Sequence, residues 1–283
     1  VGTRAAVVVT GTEVLTGRVT DRNGPWLAEQ LRLHGVDIGQ VLVVGDRPDD
    51  LASALRYLAS AGNDLVITSG GLGPTADDLT AEVVGEVQGR PLRLSPDLEA
   101  RIGDIVEALV AARGWRLDPE ATRAGTRKQA LVPEGAHVLE PVGTAPGLVV
   151  PVAAGRRGPP VLVLPGPPAE LQGMWAAALA DPLVAAALRG RVELRQSTLR
   201  LWGTPESELA ATLRRHEGEL EGLEITTCLR DGELEVVTRS HPSQAATVEH
   251  LRAVLRADFP QTLYSPDGRT VDDLVAQRLL ATG

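Results

Sequence analysis

A chain of 283 residues with 43% hydrophobic and 23% charged positions is globular and long enough for one large domain or two ordinary ones. Its formal net charge of -9 opposes non-specific binding to nucleic-acid backbones, and an aromatic content of 2% leaves little for stacking on single strands. The single cysteine, Cys228, excludes an internal disulfide and a multi-thiolate metal centre.

Ala5 to Thr10 is nearly all apolar and stops at Gly11, the pattern of a buried strand in a parallel sheet. The run is too short for a signal segment, and no window approaches the ~20 apolar residues of a membrane span, so a cytoplasmic protein without membrane contact is expected. Asn23 to Gly35 has helical spacing, with Asn23 as its cap and Pro25 in its first turn. Val36 to Val44 reads as a strand, Pro48 to Ala61 as a helix and Asp64 to Thr68 as a third strand. Such alternation predicts an α/β fold with a doubly wound, mostly parallel sheet, whose ligand lies beyond the carboxyl ends of the strands.

Further along, Asp77 to Gln88 and Ser95 to Arg113 read as helices, the latter capped by Ser95. Ala136 to Val150 and Pro160 to Leu164 read as strands joined by a Gly/Arg/Pro hairpin, and Ala169 to Leu188 as one Ala-rich helix. The texture then changes. Arg191 to Trp202 alternates like a strand, Pro205 to Arg215 is helical, and Leu223–Arg230 and Glu233–Arg239 form a hairpin around Asp231-Gly232. Ser243 to Ala257 and Arg269 to Gly283 are helical. The expected domains are 1–190, a smaller α+β domain over 191–268, and a terminal helix over 269–283. Cys228 is expected in a strand, buried in the core.

The strongest chemical signal is Ser69-Gly70-Gly71-Leu72-Gly73-Pro74-Thr75, placed between a buried strand and a helix. Glycines let backbone N–H groups converge on an anion, and a helix start adds partial positive charge; a tight turn alone would also explain them. A branched side chain at Gly71 is expected to fill the anion site and leave the fold intact. Asp77 and Asp78 follow, as helix caps in a Thr75-x-x-Asp78 box or as carboxylates that recruit a divalent cation beside a phosphate. Gly11-Thr12-Glu13 leaves the first strand on the same edge; Glu13 is either a metal ligand or a polar loop residue. The turns Val142–Gly147, with Gly143 and Thr144, and Leu164–Glu170, with Gly166 and Pro167, could shape a pocket. Arg127 and Lys128 are a solvated pair or the neutralisers of a diphosphate. The five histidines are scattered without metal-ligand spacing.

In this order the motifs resemble the CinA family (competence/damage-inducible proteins): Gly11-Thr12-Glu13 with Gly17, Asp21 and Asn23; Val44-Gly45-Asp46; Ser69 to Thr80; Arg127-Lys128-Gln129-Ala130; Gly143 to Gly147; and Leu164 to Glu170. The first domain resembles molybdopterin-binding, MoaB/MogA-like domains, and Trp202-Gly203 with Glu206-Ser207-Glu208 resembles the start of that family's KH-like domain. The resemblance implies metal-dependent hydrolysis of a nucleotide diphosphate, ADP-ribose to AMP and ribose 5-phosphate. Its alternatives are molybdopterin binding, adenylyl transfer in molybdenum cofactor biosynthesis, or a non-catalytic nucleotide-binding module. It places catalysis on Asp78, Asp77 and Glu13, a divalent metal on Asp78, Glu13 and Asp46, and the ligand on Ser69, Gly70, Gly71, Gly73, Thr75, Thr80, Lys128, Gly143, Thr144, Gly166 and Pro167. It also implies a homo-oligomer. Nucleic-acid binding is not expected, since the second domain lacks a Gly-x-x-Gly clamp. The family's further amide-hydrolysing domain would begin near Gly283, so its deamidase activity is not carried over.

Overall fold

The computed structural model describes residues 2–192, 194–230 and 232–282. They fall into two compact units that divide between Arg191 and Val192.

The first unit runs β1 (Arg4–Thr10), α1 (Thr12–Leu15), α2 (Asn23–Leu33), β2 (Asp37–Val44), α3 (Pro48–Ser60), β3 (Leu65–Ser69) and α4 (Thr80–Gln88). It continues through β4 (Leu92–Leu94), α5 (Pro96–Arg113), α6 (Pro119–Gln129), β5 (Leu131–Pro133), β6 (His137–Leu139), β7 (Gly147–Val150), β8 (Val161–Leu164), α7 (Pro168–Ala180) and α8 (Pro182–Ala187). Its main sheet has the order β2-β1-β3-β8-β7-β6. The first four strands are parallel, and β7 and β6 are antiparallel additions. The doubly wound, mostly parallel α/β expectation is met. Successive residues of β1 face opposite sides, as the two-residue period requires. Ala6 and Val8 pack with Leu55, Leu58 and Val84, while Ala5, Val7 and Val9 pack with Leu27, Leu31 and Met174. Both faces are therefore covered, and the chain leaves β1 and β3 at a switch point, since α2 turns to one side and α3 crosses to the other.

Several boundaries differ from expectation, each for a local reason. The α4 helix begins at Thr80, not Asp77, and its N-terminal flank Leu79 has no side-chain cap. Asn23 is the first residue of α2 and does not cap it; Asp21 Oδ1 accepts the N–H groups of Asn23 and Gly24 at 2.9 and 3.0 Å. Ala136–Val150 is broken into β6 and β7 by the turn that carries Gly143. The Ala-rich helix is cut in two at Asp181, whose carboxylate caps α8 ahead of Pro182. Helix α6 was not anticipated, because its buried residues, Thr126 and Gln129, are polar and leave no apolar stripe.

The second unit contains β9 (Arg195–Trp202), α9 (Glu206–Arg215), a 3-10 turn Glu217–Glu219, β10 (Glu224–Arg230), β11 (Glu233–Ser240), α10 (Ala245–Asp258), β12 (Leu263–Ser265) and α11 (Val271–Thr282). Its antiparallel sheet has the order β10-β11-β9-β12. Leu199, Leu201, Leu234 and Val236 on one face pack with Leu209, Leu251 and Leu255 from the helices. Asp231 of the predicted turn and the terminal Gly283 lie outside the described residues. Cys228 is in strand β10 as expected, yet it is exposed rather than in the core. No helix among the described residues is long and apolar enough to cross a membrane.

Candidate functional site

The C-terminal ends of β1, β3 and β8 meet around a cleft of about 810 Å³. Strand register explains the meeting: Val9 pairs with Ser69 and Ser69 with Leu164, so Thr10, Gly70 and Pro165 emerge side by side. Gly70 has φ +107°, and a Cβ there would come within 2.6 Å of Thr10 Oγ1 and 2.7 Å of its carbonyl. Gly71 has φ +68°, and a Cβ there would overlap Thr80 Oγ1. Both glycines are thus demanded by backbone crossing and by the left-handed conformation. A side chain at Gly71 would run into the protein and not into the cleft, which corrects the expectation that it would fill an anion site.

The Gly70 N–H is bound to Leu164 O at 3.0 Å. The N–H groups of Gly71, Leu72 and Gly73 find no acceptor among the described residues, and all three residues line the cleft. The loop is held from behind by α6: Gln129 Nε2 donates to Leu72 O at 3.0 Å, and Lys128 Nζ donates to Thr75 O. Lys128 is therefore engaged with the loop's outer carbonyl and does not line the cleft, and Arg127 pairs with Glu99. Arg127 is thus directed elsewhere, while the Lys128 ammonium stays close enough to act electrostatically on Asp77 in the cleft wall.

Asn23 ties three segments together. Buried at 7% exposure, it donates through Nδ2 to Ser69 Oγ at 2.8 Å and to Gly166 O at 2.6 Å. Its Oδ1 is buried with no partner, and the residue lines the cleft. A buried amide oxygen without a donor costs stability, and Asn23 holds this one at the wall of the cleft.

The acidic residues lie along the same walls. Glu13, Asp21, Asp46, Asp77, Asp78 and Glu170 line the cleft with Arg22. Asp46 Oδ2 accepts the Thr12 N–H at 2.8 Å, and Asp46 N–H donates back to Thr12 Oγ1 at 3.2 Å. Asp78 Oδ2 accepts the N–H and hydroxyl of Thr75 at 2.9 and 2.6 Å; the Thr75-x-x-Asp78 contact exists, but it closes a turn ahead of α4 and caps no helix. The Thr75 hydroxyl beside Asp77 holds that carboxyl below its ordinary range. Burial pushes Glu170 up, and its carboxylate lies so close to Gly143 that a Cβ at Gly143 would overlap it.

Of the predicted residues, Glu13, Asp46, Ser69, Gly70, Gly71, Gly73, Asp77, Asp78, Thr144, Gly166 and Pro167 line this one cleft. Thr75, Thr80, Lys128 and Gly143 stand behind its walls. Thr10, Gln129 and Glu170 were missed as site residues. Glu13, Asp46 and Asp78 offer hard oxygens suited to a divalent cation, but they form no ready three-ligand cage. Among the described residues, the group whose ligand atoms do converge is His216, Glu219 and His250. An ion in the cleft would be held by one or two of these carboxylates and by oxygens of a bound phosphate.

Residues 6–185 match the family model described as "Probable molybdopterin binding domain". A CinA-like protein of Mycolicibacterium gilvum is 56% identical over 279 residues, covering 98% of this chain and 65% of its own length. A CinA-like protein of Mycobacterium tuberculosis is 50% identical over 285 residues, covering 99% and 65%. The chain thus spans 65% of the length of these curated relatives. A solved CinA protein of unknown function from Thermoplasma acidophilum is 35% identical, with a TM-score of 0.52, over 64% of this chain and 98% of that one.

Proposed function

The chain belongs to the CinA-like protein family and carries a molybdopterin-binding-type domain, and on that premise we propose that the first unit's cleft binds a phosphorylated pterin of the molybdopterin class. The observation that carries this reading is the pairing, in one cleft, of three unengaged loop N–H groups with the buried, unpartnered Asn23 Oδ1. The loop N–H groups at Gly71, Leu72 and Gly73 take the phosphate oxygens. Asn23 Oδ1 accepts an N–H from the pterin heterocycle, while its Nδ2 keeps the strand ends in place. Titration of the full chain with a phosphorylated pterin, read by pterin fluorescence, should saturate at one per chain. Asn23→Ala should weaken binding by about tenfold or more, since it removes a hydrogen bond and loosens two loops. Equal affinity in a folded Asn23→Ala chain would refute the placement.

A second reading is favoured by the acidic wall. Glu13, Asp46, Asp77 and Asp78 beside an anion cradle would repel a phosphate unless a cation intervenes, which is the arrangement expected of diphosphate hydrolysis. When bound, a divalent ion would neutralise phosphate charge and lower the pKa of an attacking water. ADP-ribose and water would then give AMP and ribose 5-phosphate. In this reading the loop orients the diphosphate, and Asp78 and Asp77, fixed by Thr75, face it. Incubation of the chain with ADP-ribose and Mg²⁺ should release AMP, and Asp78→Asn should lower that rate by at least ~10²-fold. Its cost to stability should stay under ~1 kcal/mol, since an amide oxygen still accepts from Thr75. No AMP from the parent chain would remove hydrolysis and leave pterin binding standing.

A further inference from the structure

The second unit brings two imidazoles and a carboxylate to one point. His216 is the C-cap of α9, Glu219 lies in the 3-10 turn that follows, and His250 is on α10. Glu219 Oε2 lies 3.0 Å from His216 Nδ1 and 2.6 Å from His250 Nε2. The three ligand atoms all lie within 4.8 Å of one another, and the two rings are 6.2 Å apart at 68°. Two of the five histidines, scattered in sequence, are thus brought together. His250 is 31 residues from Glu219, so their convergence is a product of the fold and not of a short motif.

We propose that His216, Glu219 and His250 form a binding site for one late first-row divalent ion, zinc in particular. Two imidazole nitrogens with one carboxylate are a borderline-soft donor set, which suits zinc, cobalt, nickel or copper and not magnesium or calcium. Tetrahedral bonds of about 2.0–2.2 Å put neighbouring ligand atoms about 3.3–3.6 Å apart. The present separations of 2.6 and 3.0 Å reach that range by small side-chain rotations. Such rotations are free to occur, because Glu219 and His250 side chains are 59% and 42% exposed. The same exposure leaves a fourth position for water. The backbone is set in advance: Glu219 N and Leu220 N both donate to His216 O, at 2.9 and 3.1 Å, which fixes His216 and Glu219 on one side of the turn. A bound ion would join α9, the turn and α10. The site is independent of the first unit's cleft and of any reading of it.

The full chain should be titrated with Co²⁺ as a spectroscopic probe and then with Zn²⁺. The expected result is one Co²⁺ per chain with the intense visible bands of a four- or five-coordinate ion, displaced by Zn²⁺ and not by excess Mg²⁺. H216Q and H250Q should each weaken Zn²⁺ binding by at least ~10²-fold, while D78N binds like the parent. Zn²⁺ should raise the melting temperature of the parent and leave that of H250Q unmoved. In case either variant unfolds, imidazole NMR of the parent provides a second readout: Zn²⁺ should shift His216 and His250 and leave His34 and His137 in place. Parental affinity in H216Q and H250Q, loss confined to D78N, or unshifted His216 and His250 resonances would each overturn the assignment.

Discussion

Strands β3 and β8 of the first unit are buried at every residue, whereas β11 of the second alternates between core and a half-covered face from Glu233 to Thr238. In the first unit apolar side chains fill both faces of the sheet, so chemistry is left to the strand ends, where loop N–H groups meet the polar and acidic side chains of the connecting loops. In the second unit one face stays polar. There Arg200 lies between Glu233 and Glu235, and Tyr264 donates to Glu233 at 2.6 Å. Burial, followed by the bond to Glu233, pushes the Tyr264 hydroxyl far above its ordinary range. A sheet closed on both faces recognises ligands with loops; a sheet closed on one can carry charge on its strands.

The sharpest way to break that contrast is at Gly71. Gly71→Val would strain a φ of +68° and collide with Thr80, so about 2–5 kcal/mol of first-unit stability should be lost together with ligand binding. A variant that melts like the parent but binds no ligand would show that the side chain enters the cleft and that the crossing tolerates it. The second unit should answer to charge instead. Arg200→Met leaves Glu233 and Glu235 facing each other at 16% and 29% exposure, and should cost ~2–3 kcal/mol, between an exposed and a fully buried pair. Its melt should shift without any change in first-unit ligand affinity; a loss of that affinity would join the two units into one cooperative system. The smallest effect is at Glu170. Because burial raises its folded-state pKa, ionising it opposes folding: its favourable contribution is complete below the ordinary value of 4.5 and is lost as pH rises through the folded-state value. Glu170→Gln should therefore be slightly more stable than the parent at pH 7, with the gap closing below about pH 4.5. A gap that widens in acid would reverse the sign and the cause.

The legible parts of the molecule were those written in local pattern. Apolar runs such as Ala5–Val9 and Leu65–Thr68 mark the closed sheet, and Ser69–Thr75 marks the turn where three strand ends meet. What escaped is long-range or polar. Asn23 looks like a helix cap because its partners, Ser69 and Gly166, are 46 and 143 residues away. Helix α6 hides behind polar buried residues, although Asp118-Pro119 is a cap-then-proline start that a reading of helix signals could have used. Asp181-Pro182 carries the same signal and splits the Ala-rich segment. Lys128 seems suited to a phosphate until its ammonium is found on the loop carbonyl of Thr75, because charge alone does not tell which side of a loop a helix approaches.

Cys228, exposed on the outermost strand β10, also gives the molecule a built-in handle. A single maleimide dye would mark the second unit alone and report its unfolding. Three of the four tryptophans, Trp26, Trp115 and Trp175, lie in the first unit. Intrinsic emission, drawn from those three rings and from Trp202 of the second unit, would thus weigh mainly on the first unit, while dye emission at Cys228 would follow the second in the same cuvette.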